Sequence, residues 1–200
     1  MDLLVLVADG DQKAVFDGLL ENRTKSIGIR LINFRVDKHP NRDPGVYATG
    51  AAFCRELEAN YRFSKCLIVL DEEWEGSPGI DAIKEKIVED CRRIGIAAQV
   101  EVLVISPEIE QWVWQPSLHV LNAIGREESY EEIRSELKQF WPDGSSKPLR
   151  PKEAFDAARS IPRSSSIFYE LANIVSLKNC QDAEFNKFLK IIRAWFPVSD

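Results

Sequence analysis

The feature that most constrains this chain is an alternation. Four short apolar runs, each followed by a polar turn, are separated by stretches with helical spacing. The runs are Leu3–Ala8, Ile27–Val36, Cys66–Leu70 and Gln99–Ile105. Continuous runs such as Leu3–Ala8 and Cys66–Leu70 suit buried strands, while Ile27–Val36 partly alternates apolar and polar residues, as at a less covered strand. Strands that alternate with helices pair in parallel through right-handed crossovers. The expected fold is α/β, with a mainly parallel four-stranded sheet flanked by helices and a C-terminal helical extension. Residues 1–125 are expected to form the α/β domain, and residues 126–200 the helical extension packed on it.

Helical spacing is read over Asp11–Asn22, with Asp9 or Asp11 as N-cap, and over Val46–Phe63, where Phe53, Leu57 and Tyr61 are four apart. It is read again over Ile80–Gly95, where Gly95 suits a C-terminal cap. Further helices are expected at Pro116–Ile124, Ser129–Trp141 (opened by the capping box Ser129-Tyr-Glu-Glu132), Lys152–Ser160, Ser164–Leu177 and Asp182–Phe196. The last carries an apolar stripe that includes Phe185, Phe188, Leu189 and Ile192, the pattern of a helix facing its own core. Residues Pro142–Pro151 read as a linker.

The strand ends carry the chemistry. The third run stops abruptly at Asp71, Glu72, Glu73 and Glu75, the first stops at Asp9-Gly10, and the fourth is followed by Glu108 and Glu110. In a parallel sheet these ends share one edge, which is where open α/β sheets bind ligands. Several carboxylates in one small volume repel one another unless a cation binds or some take up protons. A divalent ion such as Mg²⁺ or Mn²⁺ would fit that need, and could serve phosphodiester cleavage. The bland alternative is an ordinary polar strand-to-loop boundary.

The net charge is −6, which argues against a generally basic surface for nucleic acid but leaves room for a local one. Between Arg23 and Arg42 six Lys or Arg stand against Asp37 alone; they form either a solvated edge or a phosphate-binding rim. Four scattered cysteines form no C-x-x-C pair and read as reduced thiols of a cytoplasmic protein. No apolar run is long enough to span a membrane. With only His39 and His119 present, a metal centre would have to be built from carboxylates. His39 is expected in a solvated loop and His119 on a helix. Trp112 and Trp114 read as packing near the site edge or as base-stacking rings. Lys147, Arg150, Lys152, Arg159 and Arg163 read as solvated charge.

The segments Ala8-Asp9-Gly10 and Asp71-Glu-Glu73-Trp-Glu-Gly76, in this order, resemble a Toprim domain, the metal-binding module of topoisomerases, primases and OLD-type nucleases. With Pro107-Glu108-Ile-Glu110-Gln-Trp112 and a Phe-rich last helix, most of the chain is similar to a bacterial Toprim-like family associated with phage defence. The resemblance implies Asp9, Asp71 and Glu73 as catalytic residues, with Glu108 and Glu110 as further ligands of Mg²⁺ or Mn²⁺. It implies a nuclease acting on phosphodiesters or, alternatively, a non-catalytic subunit that binds nucleic acid or other defence proteins. The chain departs from the family pattern in having Asp9 for Glu and Glu73 for the second Asp. Both substitutions keep the charge and move it by one methylene.

Overall fold

The computed structural model of the chain describes residues 1–175 and 180–198. Four strands, β1 (Leu3–Val7), β2 (Phe34–Lys38), β3 (Lys65–Asp71) and β4 (Gln99–Ile105), form one sheet in the order β2-β1-β3-β4. Every pairing is parallel, with Val5 opposite both Val36 and Leu67, and Asp71 opposite Ile105. The central strands β1 and β3 are buried on both sides, as their unbroken apolar runs require.

Alternate residues serve two cores. Leu4, Leu6, Ile68 and Leu70 face α3 (Arg42–Tyr61) and α4 (Ile80–Ile94). Leu3, Val5, Leu67 and Val69 face α1 (Gly10–Asn22) and the C-terminal helices. Along the chain after β4 come α5 (Glu110–Val113), α6 (Leu118–Ala123) and α7 (Tyr130–Glu136). They are followed by α8 (Pro151–Ala158), α9 (Ser165–Ile174) and α10 (Ala183–Trp195). A short α2 (Thr24–Ile27) follows α1. Helix α9 lies along α1 and α10 lies against β4. Their Phe168, Phe185 and Phe188 join the same apolar cluster as Leu3 and Phe16.

Several sequence expectations hold closely. Strand β4 has the expected bounds, Gly95 ends α4 in the left-handed conformation with φ 75°, and the Ser129–Glu132 capping box forms. Others are corrected. The second strand begins at Phe34, because Ile27 ends a helical turn capped by Gly28 at φ 78° and buries its side chain in the core. The following residues 28–33 run as a loop. Helix α3 starts at Arg42, since Pro44 falls in its first turn, where a proline costs no hydrogen bond. Its buried row is Val46, Gly50, Cys54 and Glu58 rather than Phe53, Leu57 and Tyr61, and Tyr61 is exposed. The helix expected from Ser129 to Trp141 closes at Glu136. The helix expected at Ser164–Leu177 ends at Ile174, and residues 176 and 177 of that expectation lie outside the described residues. His39 is buried against Phe53, with Thr49 Oγ1 3.1 Å from its Nε2. Trp112 and Trp114 are core residues. Trp112 packs on Phe185 with ring centroids 5.0 Å apart, and Trp114 donates its indole N–H to Pro151 O at 3.0 Å.

One buried carboxylate fastens the entry to β4. Glu58 Oε1 accepts from the backbone N–H groups of Ala97 and Ala98, each at 3.0 Å. Replacing Glu58 with Ala strands both donors, and a buried unpaired donor costs about 1–3 kcal/mol. Glu58→Ala is therefore expected to lose about 2–4 kcal/mol in urea unfolding. A loss below about 0.5 kcal/mol would show that this carboxylate does not hold the loop.

Candidate functional site

The C-terminal edge of the sheet gathers acids from all four strand ends. Asp9, just past β1, is partly buried and caps α1: its Oδ1 accepts from Asp11 N at 3.0 Å and from Gln12 N at 2.9 Å. Asp71, the last residue of β3, is 6% exposed. Its backbone N–H donates to Asp43 Oδ1 at 2.8 Å, while its own Oδ1 is buried with no partner. Asp43 lies in the first turn of α3 and ties the start of that helix to the end of β3. Glu110 opens α5 and is buried, and Glu108 just before it is partly buried.

The loops after β3 and β4 are stitched together. Pro107 O accepts from Glu72 N at 3.1 Å and Glu73 N at 3.2 Å, and the Ser106–Pro107 peptide is cis. The Glu73 side chain is exposed.

Burial and crowding act on these groups together. Burial first, then the charges of Asp43, Glu110, Asp9 and Glu108, push the Asp71 carboxyl well above the usual carboxylate range. Burial also raises Asp43, although the N–H of Asp71 holds it back in part. Burial and the neighbouring Glu110 push Glu108 up to about 7.

Two cations from distant parts of the chain answer this charge. Arg163 Nη2 donates to Asp11 Oδ2 at 2.5 Å and also to Glu110 Oε1, and Arg163 Nη1 reaches Asp156 at 3.2 Å. Ser165 Oγ donates to the second oxygen of Asp11 at 2.5 Å. The guanidinium is also seated near the rings of Phe155 and Phe168, 5.4 and 5.5 Å from their centroids. Burial works against its charge, but Asp11 and Glu110 outweigh it and raise the Arg163 pKa. Lys152 stands 3.5 Å from Glu108, and burial of its ammonium is outweighed by Glu108 and Glu110.

All five residues expected as metal ligands therefore lie at one edge, four of them buried or partly buried and Glu73 with an exposed side chain. As arranged, the set does not form a metal cage. Glu108 and Glu110 are engaged by cations, and Asp9 spends one oxygen on the helix cap. Among the described residues no group of three or more His, Cys, Asp or Glu is placed to hold a metal ion.

Asp43, Asp11, Lys152 and Arg163 belong to the site and were missed from sequence. Asp43 follows β2 as the other acids follow their strands, so the strand-end argument carried to all four strands would have found it. Arg163 carries no such signal, because its place depends on how α9 docks on α1. Three of the six cations in the basic run Arg23–Arg42 have partners within the chain. Arg23 donates to the carbonyls of Ala172, Asn173 and Val175, Arg30 pairs with Asp2, and Arg35 pairs with Asp37. Among the described residues no helix is long and apolar enough to cross a membrane. No family model, curated protein or solved structure matches the chain.

Two outcomes follow from the charge arrangement. Glu108 keeps its proton up to about 7 in the fold, against an ordinary value of 4.5. Its contribution to stability is thus complete below about 4.5 and is lost as the pH rises through about 7, a change on the order of 3 kcal/mol. Asp71 acts in the same direction. Urea unfolding at pH 5 and pH 8.5 should show a less stable protein at the higher pH, with a smaller difference in Glu108→Gln; an unchanged difference would refute the assignment. Arg163→Met leaves Asp11 and Glu110 buried without their cation and should cost about 3 kcal/mol. A melting temperature equal to that of the wild type would mean that the clamp carries no weight.

Proposed function

We propose that the chain is a non-catalytic, Toprim-like subunit of a cytoplasmic bacterial antiviral defence assembly, holding a nucleic-acid or protein partner. The sequence resemblance directs the reading to defence. The observation that carries the non-catalytic part is Arg163. Its guanidinium is held among Asp11, Glu110 and Asp156, carboxylates of three separate helices. It supplies from within the chain positive charge that a catalytic ion would otherwise bring. Ion-paired carboxylates of this kind hold α1, α5 and α8 in one arrangement and keep the edge rigid.

A second reading has its own observation. Asp71 is buried with an unpartnered Oδ1, next to Asp43 and within the field of Asp9. A carboxyl so placed gains from a bound cation, which supports a Mg²⁺- or Mn²⁺-dependent nuclease using Asp9 and Asp71, with Glu73 brought in by movement of its loop.

Incubating the protein with Mg²⁺ or Mn²⁺ and labelled single- and double-stranded DNA and RNA separates the two. No cleavage is expected, and calorimetry should register no saturable ion binding in the wild type. Cleavage, or ion binding, that is present in the wild type and lost in a folded Asp71→Asn variant would replace the first reading with the second.

A further inference from the structure

At the other end of β4 from the acidic edge, an open groove of about 790 Å³ runs between the edge strand and α10. It is lined by Lys65, Gln99, Glu101, Lys187, Lys190 and Trp195 among others. Helix α10 contributes Lys187, Lys190 and Trp195, and Lys84 of α4 lies near enough for its charge to act on Lys187.

The charge here is poorly matched from within. Beyond burial, the Lys84 charge acts on Lys187 and lowers its pKa, so two like charges bear on one another at the strand edge. Lys187 also points its Nζ at the Val102 carbonyl, 3.5 Å away. Glu101 and Glu184 favour the Lys187 charge, yet burial and Lys84 prevail and lower its pKa. Among the described residues, the lysine ion pairs are those of Lys13, Lys86, Lys147 and Lys152, and none involves Lys65, Lys84, Lys187 or Lys190. In a chain with net charge −6, this is a local concentration of unpaired positive charge.

At its far end the groove meets an aromatic ring. Lys65 donates to Gln99 Oε1 at 2.6 Å and stands 5.9 Å from the Trp195 ring centroid. Lys187 and Trp195 are eight residues apart on one helix, about 12 Å along its axis. A row of ammonium groups ending at a tryptophan is the pattern that binds single strands, with phosphates on the cations and a base on the ring.

We infer that this groove binds single-stranded nucleic acid, with a phosphate bridging Lys84 and Lys187 and a base against Trp195. The phosphate replaces the repulsion between the two ammonium groups with two attractions. An acidic peptide would satisfy the lysines but would add nothing at the ring beyond the contact Lys65 already makes. The inference rests on the binding-subunit reading and names its partner; it moves the nucleic-acid interface from Arg23–Arg42 to the opposite edge strand of the sheet.

The test is fluorescence anisotropy with a labelled twelve-residue oligothymidylate at low salt, without divalent ions. The wild type should bind, and its affinity should fall linearly on a logarithmic salt scale. Lys84→Gln/Lys187→Gln and, separately, Trp195→Ala should each weaken binding about tenfold. The lysine pair should also flatten the salt slope by about 0.7 for each phosphate that the variant no longer neutralises. Lys25→Gln/Lys38→Gln, in the earlier basic run, should leave binding unchanged. Circular dichroism and melting curves confirm that each variant is folded. No binding by the wild type would overturn the proposal, as would full binding by the Lys84/Lys187 variant. A polyglutamate peptide that competes better than unlabelled oligonucleotide would overturn it too. Cleavage of the oligonucleotide on adding Mg²⁺ would instead sink the non-catalytic reading, while the groove would still be judged by its own variants.

Discussion

All four strands run the same way, and this one constraint arranges the rest of the molecule. Each strand delivers its following residue to a single edge, so Asp9, Asp43, Asp71 and the Glu108–Glu110 segment meet although they are spread over about a hundred residues. The edge also lies where backbone packing ends and side chains must satisfy one another. Crowded acids there are tolerated only through retained protons or opposing cations. The protein uses both means: Asp71 and Glu108 hold their protons more strongly than usual, and Arg163 and Lys152 supply charge.

What was legible in the sequence was local or periodic. The run Gln99–Ile105 marked its strand correctly, and Gly95 marked a helix end, because both signals depend on neighbours a few residues away. The run from Ile27 failed for a related reason. Its apolar residues Ile27 and Ile29 are buried, as expected, but by a helical turn and a loop rather than a strand, and hydrophobicity alone does not separate these. In α3 the small residues Gly50 and Ala51, beside Cys54, face the sheet closely, while the larger Tyr61 lies outside. The acidic edge was legible in outline for the same topological reason that it exists. Its cations were not. Lys152 and Arg163 looked like surface charge in a basic stretch, and only the docking of α8 and α9 brings them to the acids.

The two ends of the sheet contrast in how their charge is handled. At the C-terminal edge, carboxylates and cations are interleaved, with Arg163 between Asp11 and Glu110. At the start of β4, lysines from α4 and α10 meet with weak acidic support from Glu101 and Glu184. The first arrangement stabilises the fold internally. The second leaves attraction to spare for a polyanion from outside, and the distance between them keeps the acids from cancelling it.

The route of the chain has a consequence for its synthesis. Strand β1 is central in the sheet, yet one of its faces is covered by α1 together with α9 and α10, and the residues of these last two are made more than 150 positions later. Arg23 likewise finds its carbonyl partners only at residues 172, 173 and 175. While the chain is still on the ribosome, the sheet can bury one side against α3 and α4, but the other has only α1 on it until α9 and α10 emerge. Domains that form during synthesis ordinarily close as units, and an open apolar face is what chaperones hold. This protein therefore passes through a long half-covered stage, in which a factor bound to the nascent chain has to shield what α1 leaves open of the face formed by Leu3, Val5, Leu67 and Val69.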